Sequence, residues 1–198
     1  MFVSANPEDL DLLGHLREHE ADPEKKPIFN EKYSDILLVF DLDPQDPRFS
    51  AEKILEMSEF FVESTEMGKL YLNYPMVEAF YHMKSIPDTD YNSYVATLAE
   101  LEAKSYKSRV NAENRNRDYE KFAVTKPECD IVIRQNMEKA WLVAEMTNPT
   151  GDIESIIPKT TDILKKQLEK IQNEKVVAVL CTCALYIVDY DPKLVIAD

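Results

Sequence analysis

An uninterrupted apolar run, Ile36-Leu37-Leu38-Val39-Phe40, passes directly into Asp41-Leu42-Asp43-Pro44-Gln45-Asp46. Five apolar residues with no polar alternation predict a strand covered on both faces, the kind found in parallel α/β sheets. Such sheets place their binding sites at the carboxyl ends of the strands, where this acidic cluster falls. Asp41 and Asp43 are two apart, so a strand that persists this far presents both on one face. Two carboxylates at that spacing repel each other unless a proton or a hard cation such as Mg²⁺ lies between them. The same residues also suit a solvated acidic loop closed by Pro44 and Pro47.

Residues just downstream of the cluster narrow the topology. Ser50 suits the N-cap of a helix over 51–63, in which Ile54, Leu55, Phe60 and Phe61 recur at helical spacing. Gly68 then precedes a predicted strand over 69–73. Strand, helix, strand is the order of a βαβ unit and predicts a parallel pair. Further along, the pattern turns helical: 76–83 behind Pro75, a longer helix over 91–109, and a charged amphipathic helix over 161–173. Thr125-Lys126-Pro127-Glu128 is a capping box with proline in the first turn, heading a helix that runs to about Met146. The β-branched content of 176–188 favours a final strand, with a helix as the alternative. The expected fold class is α/β: one domain over 1–198, with a small, mostly parallel sheet in a core over 33–84. A mainly helical elaboration over 85–175 makes up most of the C-terminal half.

Charge is distributed unevenly. Residues 1–103 carry 22 acidic and 8 basic side chains, the whole of the net charge of −14, whereas residues 104–198 carry 15 of each. The first half therefore repels polyanions unless a metal intervenes. The candidate basic surface is Lys104, Lys107, Arg109, Arg115, Arg117 and Lys121, with Tyr106 and Tyr119 between them, a mixture suited to phosphate contact and base stacking. Glu113, Asp118 and Glu120 lie in the same stretch, so a mixed-charge solvated face is the alternative. With only three glycines, Gly14, Gly68 and Gly151, the chain has no GxGxxG or Walker-type loop. That argues against NTPase, kinase and dinucleotide-dependent activities. Cys129, Cys181 and Cys183 lack zinc or disulfide spacing and read as reduced thiols. No run is long enough to span a bilayer and the N-terminal residues lack a signal-peptide pattern, so the expected location is the cytoplasm.

A second motif, Leu72-Asn73-Tyr74-Pro75-Met76-Val77-Glu78, ends a strand and places Glu78 in the first turn of a helix. There a carboxylate complements the helix dipole, and Glu78 needs no further role. It could also face Asp41 and Asp43 across neighbouring strand ends. His82 lies at i+4 from Glu78 and could carry a proton near the carboxylates. His15 and His19, also i,i+4, have metal-compatible spacing without a third ligand.

An apolar strand ending in Asp-x-Asp, a crossover helix, and a strand leading into Asn-x-Pro-x-x-Glu together resemble the second half of a TOPRIM (topoisomerase–primase) domain. The likeness is to the versions in OLD-family nucleases and abortive-infection or phage-defence proteins, and it covers about residues 33–84. The resemblance implies a Mg²⁺- or Mn²⁺-dependent phosphodiester-cleaving site, with Asp41, Asp43 and Glu78 as metal-binding and catalytic residues and nucleic acid as the partner. TOPRIM domains begin with a strand that ends in a catalytic glutamate, and nothing before Ile36 reads as that strand. Either the chain begins inside the domain, or the strand and the activity are lost. The alternatives to a nuclease are a non-catalytic TOPRIM-derived interaction module and an acidic regulator that binds a protein partner.

Overall fold

The computed structural model describes residues 12–65, 67–147 and 153–195. In chain order its elements are α1 (Leu12–His19), β1 (Leu37–Asp41), α2 (Ala51–Phe60), β2 (Val62–Glu63), β3 (Gly68–Tyr74), β4 (Val95–Thr97), α3 (Leu98–Glu102) and α4 (Tyr106–Glu113). Then come α5 (Lys126–Val143), α6 (Ile153–Ile156), α7 (Thr160–Glu174), β5 (Val176–Ala178), β6 (Leu180–Cys181) and α8 (Cys183–Tyr190). One sheet has the order β1-β3-β2, with β6 also paired to β3; β4 and β5 form a separate two-stranded sheet. The protein is thus a mixed α/β structure. The expectation of a mostly parallel sheet is not met: β2 and β6 both run antiparallel to β3. Only β1 runs with β3, since the Lys69 N–H donates to Ile36 O near the start and the Leu42 N–H to Asn73 O near the end. Only residues 64–67 separate β2 from β3, a connection too short for anything but an antiparallel return.

The chain divides into two compact units. One comprises the chain before Val39 together with Ser50–Leu70, the other Val39–Phe49 together with the chain after Leu70. In the first unit, Ser50 caps α2 by accepting the Lys53 N–H through its side chain. The helix ends at Phe60 rather than 63, because Phe61 and the residues after it turn back to pair: the Leu70 N–H donates to Phe61 O at 2.9 Å. Gly68 has φ +106°, and a Cβ there would lie 3.1 Å from the Ile36 side chain and 3.3 Å from that of Leu38. Glycine both allows the turn and lets the neighbouring strand approach.

Contrary to the double-covered strand expected from its sequence, β1 buries only Leu38 among its apolar residues; Leu37, Val39 and Phe40 are 38%, 48% and 39% exposed. The strand buried almost throughout is β3.

The second unit is organised on α5, where the Thr125 side chain accepts the Glu128 N–H and the Glu128 carboxylate returns to the Thr125 N–H, the capping box read from sequence. Val132, Met137 and Ala140 on α5 are fully buried, as are Ile163 and Leu164 on α7. Two assignments from sequence give way here. The helix expected over 91–109 is a 3-10 turn, β4, α3 and α4, because Val95–Thr97 pairs antiparallel with β5. The apolar run 176–188 is β5, β6 and α8, changing from strand to helix at Thr182, whose hydroxyl donates to Leu72 O and accepts the Leu72 N–H. The helix expected over 76–83 is a 3-10 turn at Val77–Tyr81. The sequence also suggests a helix from Asn6 or Pro7 to about Glu20 and a break at Thr150-Gly151; the start of that helix and the break lie outside the described residues.

Candidate acidic site

The two acidic motifs meet through the backbone before any side chain is considered. The Leu42 N–H donates to both Asn73 O and Pro75 O at 3.1 Å, and the Asp43 N–H to Pro75 O at 3.2 Å. Leu42 is buried, so Asp41 and Asp43 are held on either side of an anchored residue. Asp43 adopts φ +44°, a left-handed conformation that aspartate tolerates better than most residues. From Pro75 the chain turns into the 3-10 segment Val77–Tyr81, whose first turn carries Glu78.

Asp41 lies in the field of the other two carboxylates. Burial pushes the Asp41 carboxyl above its ordinary value, and the charges of Asp43 and Glu78 push the same way. The Asn73 amide, which donates to Asp41 at 3.1 Å, and the Val77 backbone N–H oppose the shift. Gln45 donates its amide to Asp43 at 3.0 Å. Glu78 is only 3% exposed, and its carboxylate is met at 2.7 Å by the ammonium of Lys107 on α4. That bond raises the Lys107 ammonium above its ordinary value. Two amide oxygens beside the carboxylates, Asn73 Oδ1 and Gln45 Oε1, are buried without a hydrogen-bond partner. Turned about their side-chain ends, both amides would add oxygen donors to the cluster. The donor set is therefore all oxygen and suits a hard cation. It is not a ready-made cage: among the described residues no three His, Cys, Asp or Glu side chains converge to hold a metal ion. Glu78 would have to release Lys107 to join one.

The other sequence candidates separate. His82 is buried between the Tyr106 hydroxyl at 3.1 Å and Glu113 at 3.2 Å, so both ring nitrogens are engaged away from the carboxylates. Burial lowers it to about 4, leaving it neutral at physiological pH. His19 Nδ1 lies 2.9 Å from His15 O in a local helix contact. All three cysteines are free thiols. In the basic stretch, Lys107 serves Glu78, Arg109 pairs with Glu100, Arg115 with Glu128 and Lys121 with Asp118. Lys104 and Arg117 make no ion pair among the described residues. The stretch is thus mainly a set of internal ion pairs rather than a free cationic stripe.

Sequence reasoning missed Asn73, Gln45 and the Lys107 partnership. Asn73 was visible as a polar residue at the end of an otherwise apolar strand, a position that demands a partner. A 3-10 turn, β4 and α3 lie between the turn that carries Glu78 and the helix that carries Lys107, and no local pattern announces the pair. No described helix is long and apolar enough to cross a membrane. No protein-family model, curated protein or solved structure matches the chain.

Proposed function

We propose that the protein is a TOPRIM-like, metal-dependent nuclease acting on phosphodiester bonds, of the kind used in anti-phage defence. The observation that carries this reading is the backbone bonding of Leu42 and Asp43 to Asn73 and Pro75, which joins the Asp41–Asp43 motif to the turn that carries Glu78. Burial, reinforced by the repulsion of the other two carboxylates, keeps Asp41 from ionising at its ordinary value. A site that concentrates negative charge in this way gains most from a divalent cation. Asp41, Asp43 and Glu78 would hold Mg²⁺ or Mn²⁺, with the Asn73 and Gln45 amide oxygens as further donors. Bound there, the cation would polarise a phosphate and activate water. Lys107, whose side chain is 67% exposed while it pairs with Glu78, would be available to the substrate phosphate if a cation took its place on that carboxylate.

A second reading has its own support. The Glu78–Lys107 ion pair already compensates one carboxylate, as in an acidic site that has ceased to be catalytic and serves protein association. The two readings separate in one experiment. Thermal melts with and without Mn²⁺, together with incubation on DNA and RNA, should show a metal-dependent rise in Tm and cleavage, both lost in Asp41→Asn. If metal leaves the melt unchanged and neither nucleic acid is cut, the nuclease reading fails and the interaction module stands.

A further inference from the structure

Beside Glu78 and Lys107 lies an aromatic step that the acidic site does not use. The Tyr81 ring, half-buried, has its centroid 6.1 Å from that of Tyr119 at an interplanar angle of 37°. It also lies 6.3 Å from Phe122, which in turn meets Phe80 at 6.1 Å. Phe122 is buried, whereas Tyr119 is 64% exposed. Tyr81 therefore rests on a buried phenylalanine, and Tyr119, packed beside Tyr81, presents its ring to solvent.

The segment carrying Tyr119 is pinned. Buried Asn114 accepts the Asp118 N–H at 3.2 Å and the Asn116 N–H at 3.3 Å through its side chain, and donates to Val110 O. Asp118 then caps the turn Tyr119–Lys121 by accepting the Glu120 N–H. A large ring held this far into solvent by a satisfied loop offers a stacking face at little ordering cost. The step is next to the acidic site: Glu78 and Lys107 both act electrostatically on the Tyr81 phenol. Lys121, and Arg117 with φ +52°, border Tyr119 along the chain.

A ligand for this surface needs a flat π face and an attached negative group. A nucleotide has both, but within a duplex each base face is covered by its neighbours and only edges and phosphates are presented. A chain of net charge −14, with most of its nearby cations already paired, is poorly equipped to hold a duplex through phosphates alone. We propose that the Tyr81–Tyr119 step stacks an unpaired base of single-stranded nucleic acid, leading its backbone toward Asp41, Asp43 and Glu78. The identity of the ligand rests on the nuclease reading; the stacking surface does not.

The test is fluorescence anisotropy in EDTA with a short labelled single strand, as DNA and as RNA, and with the duplex of the same sequence. The single strand should bind about tenfold more tightly than the duplex, and Tyr119→Ala should remove about that factor while leaving the thermal melt intact. Tyr119→Trp should restore binding, with the new indole quenched on stacking beyond any change at Trp141 of the wild type. The salt dependence should be shallow, a log–log slope of about −1 to −2, because few phosphates are contacted. Equal affinity for the duplex, or a Tyr119→Ala variant that binds like wild type, overturns the inference. Tyr119-dependent binding without any Mn²⁺-dependent cleavage would keep the step and discard the nuclease. Cleavage that is indifferent to Tyr119→Ala would do the reverse.

Discussion

At the scale of single residues, burial biases both Asp41 and His82 toward their neutral forms. A carboxyl raised above its ordinary value favours the folded state when protonated and opposes it when charged. The contribution of Asp41 is thus present below its unfolded value of 3.8 and lost as pH rises through its folded value. In EDTA, Asp41→Asn should melt higher than wild type at pH 7, with the gain vanishing near pH 3. His82 works in the opposite direction. Lowered from 6.5 to about 4, it keeps its full contribution above pH 6.5 and loses it as the pH falls toward 4. The loss amounts to about 3 kcal/mol. Denaturant unfolding of His82→Gln, which retains hydrogen bonding to Tyr106 and Glu113, should show a flatter pH dependence across that window. An unchanged slope would mean that another group titrates there.

At the scale of elements, local signals that satisfy the backbone by themselves were expressed where they were written. The Ser50 cap and the Thr125–Glu128 box both start helices at the expected residue. Thr125→Ala should cost about 1 kcal/mol, a fall in Tm of about 2–4 °C for a protein of this size, measurable by calorimetry. Elements that depend on a distant partner were expressed differently. Val95–Thr97 would extend a helix by pattern alone, but β5 supplies backbone partners that an isolated segment lacks. The same holds for the apolar run after Val176, which pairs as strand only as far as Cys181. The Cys181 N–H is then spent on the buried Asn136 Oδ1, and the chain turns helical. Apolar composition could not locate that switch, because Val and Ile serve either state once buried.

At the scale of the whole molecule, a few buried polar side chains join α5 to the turn before β4 and α7 to β5. Asn136 accepts the Tyr91 hydroxyl, and Gln167 both donates to Ala178 O and accepts its N–H. Lys139, almost fully buried, donates to Tyr91 O at 2.6 Å and Tyr94 O at 2.7 Å, with its ammonium 4.5 Å from the Tyr91 ring centroid. Burial lowers this amine from 10.5 to about 7, against the opposing pull of Asp88. Its contribution to stability is therefore complete above pH 10.5 and lost as pH falls to about 7. Lys139→Met should lose about 2 kcal/mol at pH 10, where the neutral amine still donates to the two carbonyls, and less at pH 7. Its stability should also change less than that of wild type between pH 7 and 10, as read from chemical denaturation.

The sequence by itself determined the starts of α2 and α5, the acidic end of β1, and the Gly-poor character that disfavours phosphate cradles. Each follows from chemistry confined to a few neighbouring positions. Only the tertiary structure decided that Leu42 is bonded to Asn73 and Pro75, that Lys107 closes on Glu78, and that β3 rather than β1 is the buried strand. It alone brought Tyr81 to Tyr119. These depend on which surfaces meet after the chain has folded. Burial, pairing and the field of one charge on another are properties of that meeting, with contributions from residues tens of positions apart.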